Sequence, residues 1–515
     1  MSKRIVLNAG LLETRVAVQE GHLLTELYLE RHRHRSIVGN VYKGTVTNVL
    51  PGMQAAFVDV GLHKDAFLYA GDYTANLDAA APELVDAADG VDAGEEPDVD
   101  AEEAPRREAV APIEEMLRKG QEVLVQVSKE SLGTKGARIT SFVSLPGRYL
   151  VYMPQARHIG VSRRIRDERE RDRLRAVLRG LDLPAGGFIL RTNAEGKGEE
   201  ELAQDVAFLG RLWGQIQTRF EQATAPALLH EEGDLTFRVV RDLFSPDVDE
   251  LIVDDHALYE RCGEYVRTLV PGLAGRLRHY AERAPVFEHF GIEKDIDKAL
   301  RRRVWLKSGG YIVIDHTEAL VSIDVNTGKY VGKRDFEQTV LKINLEAVNE
   351  IVRQIRLRDL GGIIIIDFID MEVPDHRDQV YRALKRALAE DKARTNVLQI
   401  SELGLVEMTR KRVRQDLRAV LTQSCPACRG AGVVRSLETV AAEIHRAIRA
   451  HASADEAPPD AGREIVVRVH PDLAAYLDGD GRPELDRLRA LLGVKVTVQA
   501  ASGLAHREDY EVKVR

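Results

Sequence analysis

The sequence predicts a multidomain protein that mixes α and β structure and carries a small β-barrel near its N-terminus. The chain of 515 residues is too long for a single hydrophobic core. Short alternating segments over residues 40–69 are typical of barrel strands. Apolar strand-like runs on either side of a helical stretch, within residues 311–367, are typical of α/β units.

The composition indicates a globular protein. Hydrophobic residues make up 44% of the chain and charged residues 30%, and the first residues lack the long apolar segment of a signal peptide or membrane span. We therefore expect a cytoplasmic location and no membrane segment. The net charge of −9 is uneven, because residues 72–103 contain twelve Asp and Glu and no Lys or Arg. This stretch is expected to be a disordered surface loop, and the rest of the chain can still bind nucleic acid.

The predicted barrel strands cover residues 41–46, 53–61 and 66–69. A barrel of the OB type presents aromatic side chains on which single-stranded bases can stack. Phe57 and Phe67 are the candidates in these strands. Burial inside the barrel is the alternative for each of them.

Two basic clusters, residues 157–179 and 409–418, are candidates for attracting phosphates. The alternative is a solvated helix face with internal ion pairs, which the alternation of acidic and basic residues from Arg166 to Arg175 favours. Gly196-Lys197-Gly198 does not fit the pattern G-x-x-x-x-G-K-[ST], so we exclude a nucleotide-hydrolysing P-loop.

Carboxylates at the ends of two apolar runs are the strongest indication of chemistry. In the run 319–325 the alternation places the apolar side chains on one face and Asp324 and Asn326 on the other. The run 363–366 is apolar on both faces up to Asp367, which predicts a central strand covered by helices. An anion at such a position usually holds a metal ion.

A crossover helix is predicted between these runs over residues 335–360, with Gly361-Gly362 as its left-handed cap. A strand, a helix and a second strand can bring Asp324 and Asp367 to neighbouring strand ends. Mg²⁺ prefers oxygen ligands and typically takes only one or two carboxylates, so the pair suits phosphodiester chemistry. The alternative is that both are turn or capping residues.

The three cysteines exclude a disulfide framework. Cys262 is expected to pack as a small apolar residue. Cys425-Pro426-Ala427-Cys428, followed by Gly430-Ala431-Gly432, predicts a knuckle whose backbone amides turn toward two thiolates. Structural Zn²⁺ needs four ligands, and the simplest completion is the same knuckle of a second subunit. A redox pair is the alternative, although a thioredoxin-like context is missing from the sequence around it.

The stretch G-x-V-x-x-V-x-P-G-x-Q-A-A-F-V-D-x-G, residues 44–61, closely resembles the S1 RNA-binding domain of the ribonuclease E/G family. The resemblance extends over nearly the whole chain, through the segments 144–154, 162–165, 190–192, 309–326, 344–347 and 357–371 and the cysteine knuckle.

The resemblance implies roles for individual residues. It implies RNA contacts from Phe57, Phe67 and Lys135, a 5′-monophosphate pocket from Val151, Arg163, Arg164, Arg191 and Thr192, catalytic Mg²⁺ on Asp324 and Asp367 with support from Asn326, and Zn²⁺ shared between subunits on Cys425 and Cys428. The chemistry agrees, because Arg191 can grip a phosphate with two donors and Val151 can pack on the terminal base.

The resemblance also implies a domain layout. The domains are an RNase H-like subdomain split between 1–35 and 237–300, an S1 domain over 36–140 with an acidic insertion at about 72–111, a 5′-sensor over 141–236, a DNase I-like catalytic domain over 301–420, a zinc-link over 421–432, and a small α/β dimerisation domain over 433–515.

The activity implied by the resemblance is a Mg²⁺-dependent endoribonuclease. It would cut single-stranded RNA, prefer 5′-monophosphorylated substrates, process rRNA and tRNA precursors, contribute to mRNA decay, and form a homodimer or homotetramer. No long Arg- and Pro-rich tail follows residue 515, so G-type members are the better match, with short E-type members as the alternative. Two other functions stay open: an RNA-binding scaffold without catalysis, and a DNA-directed phosphodiesterase.

Overall fold

The computed structural model describes residues 2–33, 35–73, 112–130, 136–162, 164–328, 336–401, 404–412, 414–428, 430–453, 464–504 and 506–514. The chain divides into two compact units, Met1–Val420 and Leu421–Arg515. Most of the predicted acidic insertion, residues 74–111, lies outside the described residues.

The described strands are Lys3–Ala9 (β1), Glu13–Glu20 (β2), Leu23–Arg31 (β3), Val41–Leu50 (β4), Ala55–Asp59 (β5), Ala66–Tyr69 (β6), Glu122–Lys129 (β7), Arg138–Thr140 (β8), Leu145–Pro146 (β9), Leu150–Met153 (β10), Ile159–Val161 (β11), Gly187–Leu190 (β12), Ala227–His230 (β13), Glu250–Val253 (β14), Leu277–His279 (β15), Arg303–Trp305 (β16), Tyr311–His316 (β17), Leu320–Asn326 (β18), Gly362–Asp367 (β19), Thr395–Val397 (β20), Leu405–Arg410 (β21), Glu464–Val469 (β22), Lys495–Ala500 (β23) and Tyr510–Val514 (β24).

The described α-helices are Ile113–Met116 (α1), Glu168–Gly180 (α2), Glu199–Gln222 (α3), Leu235–Asp242 (α4), His256–Leu269 (α5), Val286–His289 (α6), Ile292–Ala299 (α7), Phe336–Arg358 (α8), Pro374–Leu388 (α9), Leu417–Leu421 (α10), Leu437–Ser453 (α11), Pro471–Asp478 (α12) and Arg482–Leu492 (α13).

A closed five-stranded barrel forms from β4, β5, β6, β8 and β7, because β7 pairs back onto β4. Strands β4, β5 and β6 lie where the sequence predicted them, β7 and β8 had no predicted position, and the barrel is consistent with the S1/OB fold. Alternation along β5 and β6 turns Ala56, Val58 and Leu68 into the core. Strand β13 adds to β4 on the outside of the closed barrel.

Two further sheets belong to the N-terminal 280 residues. Strands β1–β3 join β14 and β15 in a five-stranded sheet of order β15-β14-β1-β2-β3, packed against α4 and α5. Strands β9–β12 form a four-stranded sheet of order β11-β12-β10-β9, packed against α2 and α3. The first sheet is discontinuous in sequence, so the chain leaves it after β3 and returns with β14.

The sheet that carries the predicted aspartates has the order β16-β17-β18-β19-β21-β20. Helices α8 and α9 cover one face and bury residues such as Ile323, Ile364 and Ile366 in a shared core. The prediction that helices cover both faces is wrong, because Ile363 is 48% exposed on the other face. We call this other face the open face of the sheet.

The end of α8 differs from the prediction. Asp359, not a glycine, adopts the left-handed conformation with φ 51°, and the N–H of Leu360 donates to the carbonyl of Ile355 at 3.0 Å. Arg410 and Arg414 donate to the Asp359 carboxylate at 2.6 and 2.8 Å. Gly361 is required for a different reason, since a Cβ there would lie 2.6 Å from Arg412 Cγ.

The second unit is a small α/β body. Strand β22 lies between β23, which runs parallel to it, and β24, which runs antiparallel. Helices α11, α12 and α13 share one apolar core with this sheet. Among the described residues, no helix is long and apolar enough to cross a membrane.

Candidate active site and RNA-contact surfaces

Asp324 and Asp367 are register partners on the neighbouring parallel strands β18 and β19. Directly paired residues point to the same face, so both carboxylates lie on the open face, on strands that are about 4.8 Å apart. Both side chains are exposed. Asn326, two residues along β18, donates from Nδ2 to Asp324 Oδ2 at 2.7 Å. The structure therefore brings the three predicted residues together.

The electrostatics of this pair suit a cation. Partial burial, and then the neighbouring carboxylates of Asp324 and Asp370, raise the pKa of Asp367. Neither Asp324 nor Asp367 has an ion-pair partner among the residues that the structure describes. No group of three or more His, Cys, Asp or Glu side chains converges anywhere in this described part. Two carboxylates form a partial ligand set of the kind that Mg²⁺ completes with water and phosphate oxygens.

Asn344, on α8, holds the backbone that follows Asp367. Its side chain is fully buried, donates to the carbonyl of Ile369 at 2.8 Å and accepts from the N–H of Ile369 at 3.2 Å. In the sequence, Asn344 belongs to the matching segment 344–347 and has no predicted role of its own. The available signal was a polar residue on the buried side of the predicted helix, next to Ile343 and Ala347.

The turn that leads into β17 is also anchored to α8. Both oxygens of the Glu346 carboxylate accept from the N–H of Ser308 at 3.2 Å. Gly310 permits close packing, since a Cβ there would lie 2.8 Å from the carbonyl oxygen of Asn326. Helix α8 thus holds both the backbone after Asp367 and the turn that packs beside the end of β18.

On the barrel, Phe57 and Phe67 are cross-strand partners that point away from the core. Their ring centroids lie 5.4 Å apart in an edge-to-face arrangement, and both side chains are half-buried, so full burial inside the barrel is excluded. Tyr69 extends the row, with its ring 4.4 Å from Phe67 and the Arg138 guanidinium 4.9 Å from its centroid. Tyr69 was not among the predicted RNA-contact residues, although it follows Phe67 at the strand period of two. Lys135 lies outside the described residues.

The predicted 5′-phosphate residues cluster only in part. The N–H of Arg164 donates to Ser162 Oγ at 3.2 Å, and Thr192 Oγ1 lies 3.3 Å from the same oxygen. Val151 is buried beside Ile189. Arg163 lies outside the described residues.

Arg191 is only 4% exposed, and its Nη1 donates to the Gly147 carbonyl and to Asp242 Oδ1, each at 2.6 Å. Although burial opposes this, Arg191 and Arg241 lower the pKa of Asp242 to about 2. The guanidinium is therefore already paired with a carboxylate, and its predicted contact with a phosphate stays a prediction.

In both basic clusters, some of the arginines are paired with carboxylates. In α2, Glu170 accepts from Arg173 and Asp172 from Arg175, each at 2.7 Å, which confirms the ion-pair interpretation for these arginines. In the second cluster the phosphate interpretation is wrong for Arg410, because this side chain is buried between Asp359 and Asp391.

The cysteine knuckle forms within the second unit. Cys425 and Cys428 lie in the connection between α10 and α11, and the N–H groups of Gly432 and Gly430 lower the pKa of the Cys428 thiol. Gly430 and Gly432 both have positive φ, 95° and 72°. Cys262, by contrast, is buried in an apolar core, as predicted.

Comparisons with known proteins place this chain in a family. The model of the "Ribonuclease E/G family" matches residues 144–413, and that of the "RNase E/G, Thioredoxin-like domain" matches residues 424–514. The expectation that a thioredoxin-like context is missing is therefore wrong, because residues 424–514 match a thioredoxin-like domain model. The cysteines themselves precede its helices and strands instead of joining a strand to a helix.

Curated relatives agree with this match. Ribonuclease G of Escherichia coli (strain K12) is 44% identical over 99% of both chains, and ribonuclease G of Haemophilus influenzae (strain ATCC 51907 / DSM 11121 / KW20 / Rd) is 41% identical over the same shares. Ribonuclease E of Escherichia coli (strain K12) is 37% identical over 94% of this chain and 43% of that protein. These matches confirm the predicted resemblance, and the chain belongs to the ribonuclease E/G family.

Proposed function

We propose that this endoribonuclease depends on Mg²⁺, cuts single-stranded RNA and prefers substrates with a 5′-monophosphate. Its expected substrates are rRNA and tRNA precursors and mRNA in decay, in the cytoplasm. One observation carries the proposal: Asp324 and Asp367 are register partners on adjacent strands, exposed on one face of the sheet.

Asp324 and Asp367 would hold the metal ion. Mg²⁺ bound there would polarise the scissile phosphate and lower the pKa of a coordinated water. Asn326 occupies one oxygen of Asp324 with its amide, which leaves the other carboxylate oxygen free to bind the cation. Asn344 holds the backbone after Asp367, and Glu346 holds the turn that leads into β17, so both would help to fix the pair before the substrate binds. Hydrolysis by water would leave a 5′-phosphate and a 3′-hydroxyl.

The barrel and the 5′ pocket would position the strand. Phe57, Phe67 and Tyr69 form an outward row of rings on which bases can stack, with Lys135 as a further contact. Val151, Arg163, Arg164, Arg191 and Thr192 would form the pocket. Two weak sites on one strand raise the effective concentration of each for the other and so raise overall affinity.

The proposed domain layout follows the predicted boundaries. Residues 1–35 with 237–300 would be the RNase H-like subdomain, 36–140 the S1 domain, 141–236 the 5′-sensor, 301–420 the DNase I-like catalytic domain, 421–432 the zinc-link and 433–515 the dimerisation domain. The single discontinuous sheet of β1–β3 with β14 and β15 supports the split subdomain.

Cys425 and Cys428 would supply two of four thiolates to a Zn²⁺ shared with a second subunit, in a homodimer or homotetramer. The lowered pKa of Cys428 supports thiolate formation. Cys425→Ser, or a strong chelator, should then reduce the mass measured by light scattering to that of smaller species. Cys262→Ser is the matched control for loss of a thiol. An unchanged mass together with no zinc in the purified protein would contradict the shared site.

One assay tests the activity against its two rivals. Purified protein is incubated with labelled single-stranded RNA and with DNA of the same sequence, in Mg²⁺ and in EDTA. We expect cleavage of RNA in Mg²⁺ only. Binding of RNA without cleavage would favour a scaffold, and cleavage of DNA at a similar rate would favour a general phosphodiesterase.

A further inference from the structure

An aromatic cluster with no assigned role lies on the open face of the aspartate sheet. Trp305, on the edge strand β16, is 63% exposed. Its ring centroid lies 5.2 Å from that of Tyr311, on β17, at an interplanar angle of 62°. The guanidinium carbon of Arg303 lies 4.4 Å from the Tyr311 centroid and 5.8 Å from the Trp305 centroid.

The strand register places this cluster in line with the aspartate pair. Trp305 pairs with Tyr311, and Tyr311 pairs with Asn326. Paired residues share a face, so the rings, Asn326 and Asp324 all lie on the open face. Trp305 is two strands away from Asn326, roughly 10 Å in the strand-to-strand direction. A strand of RNA whose phosphate lies at Asp324 and Asp367 would thus have a neighbouring base within reach of the rings.

Basic side chains beside the cluster can attract a polyanion, although the same face of the sheet also carries the carboxylates of Asp315 and Glu407. Arg303 is exposed and has no acidic partner among the residues that the structure describes, and the same is true of Arg301 and Lys307. Because Arg303 covers the face of Tyr311, the exposed ring surface belongs chiefly to Trp305. Aromatic rings next to Arg are the surface on which single-stranded bases stack.

We propose that Trp305, with Tyr311 and Arg303, binds a nucleobase of the RNA strand next to the scissile phosphate. This proposal rests on the proposed endonuclease function. The cluster would act with the barrel aromatics but at the cleavage site itself, and it would hold the strand in register with the aspartates. Stacking on a ring tolerates any base, so the cluster would contribute affinity and positioning without strong sequence preference.

The first test removes the ring and the base in turn. A short single-stranded RNA with a 5′-monophosphate is prepared with one abasic nucleotide at each successive position around the cleavage site. With the wild-type chain, one position should lower kcat/KM about tenfold. Trp305→Ala should lower kcat/KM about tenfold on the intact RNA, and the abasic nucleotide at that position should then cause no further loss.

Control variants separate stacking from fold. Trp305→Phe keeps a ring and should recover most of the rate, whereas Leu11→Ala, which truncates a side chain 98% exposed on the turn between β1 and β2, should behave as wild type. If Trp305→Ala and each abasic nucleotide lower kcat/KM independently, so that the two losses add at every position, the proposal is overturned.

The second test does not depend on cleavage. The chain has two tryptophans, Trp213 and Trp305, so Trp213→Phe leaves Trp305 as the single tryptophan. In the double variant Trp213→Phe/Asp367→Asn, titration with the same RNA should quench this fluorescence, even if the aspartate assignment fails. Fluorescence unchanged by saturating RNA would overturn the proposal. A change that follows protein concentration alone would also overturn it, in favour of contact with a second copy of the chain.

Discussion

Two clusters of charged side chains in the first unit are organised in opposite ways. Asp324 and Asp367 are exposed, lie side by side and have no cationic partner among the described residues. Asp242 is buried and paired with both Arg191 and Arg241, and Arg241 also binds Glu232 at 2.6 Å. The comparison separates an uncompensated carboxylate pair, which we propose as a cation site, from a compensated cluster whose charges stabilise the fold.

The largest expected effect tests the uncompensated pair. Asp367→Asn should lower kcat on single-stranded RNA by about a thousandfold or more, because it removes a proposed metal ligand worth several kcal/mol in the transition state. The melting temperature without metal should stay the same or rise, since the change relieves repulsion from Asp324. RNA affinity in EDTA should be near wild type. Asp378→Asn, in an exposed ion pair on α9, is the control. Undiminished turnover would refute the assignment.

The next effect tests the compensated cluster. Asp242→Asn leaves two buried guanidinium groups short of a partner and should lower the free energy of unfolding by about 3–5 kcal/mol, measured by denaturant unfolding. Asp378→Asn should cost less than about 1 kcal/mol.

The same variant predicts a pH dependence. The pKa of Asp242 is lowered from 3.8 to about 2, so its stabilisation is complete above pH 4 and is lost as the pH falls toward 2. The stability difference between wild type and Asp242→Asn should therefore shrink over this interval. A difference that stays constant from pH 6 to pH 2 would contradict the ion-pair account.

A smaller effect tests the support of the aspartate pair. Asn344→Ala leaves the N–H and carbonyl of Ile369 without their buried partner and should cost about 1–3 kcal/mol of stability. It should also lower kcat more than it raises KM, because it displaces the backbone after Asp367. The control is Asn349→Ala, an exposed amide on the same helix. Equal stability and equal rate in Asn344→Ala and Asn349→Ala would show that the hydrogen bonds between Asn344 and Ile369 have no effect.

The smallest expected effect tests the proposed 5′ pocket without breaking the buried Arg191–Asp242 ion pair. Thr192→Val keeps the side-chain shape but removes the hydroxyl, and should reduce the preference for 5′-monophosphate over 5′-hydroxyl RNA about two- to tenfold. Stability should change little, in contrast to Asp242→Asn. Thr218→Val, on the exposed side of α3, is the control. If Thr192→Val and Thr218→Val show the same preference for 5′-monophosphate RNA, Thr192 does not contribute to the pocket.

Local patterns predicted much of the fold and the centre of the site. The alternation of apolar and polar residues in β18 located Asp324 and Asn326 on one face, and the crossover through α8 predicted that Asp367 would be their neighbour. The same alternation in β5 and β6 predicted the barrel strands. It did not decide whether Phe57 and Phe67 point inward, because that depends on which face of each strand meets the closed core.

The predictions that failed concern partners far apart in the sequence. Asp359 adopts a left-handed conformation that glycine was expected to provide, and it is held there by Arg410 and Arg414, about fifty residues later. Arg191 meets Asp242 across a similar distance, a pairing that the sequence did not predict, while its phosphate contact stays a prediction. The sequence pattern around Asp359 or Arg191 does not indicate which distant residue pairs with it.

The order of residues alone determined strands β4–β6 of the barrel, the two strands that carry the aspartates, the crossover helix, the knuckle and the family. These features depend on periodicity and on motifs of adjacent residues. Only the tertiary structure decided which charges are exposed and which are paired, which face of the aspartate sheet is open, and that Trp305 lies on that face. The physical reason is that desolvation and ion pairing depend on what packs against a side chain, and those neighbours come from distant parts of the chain.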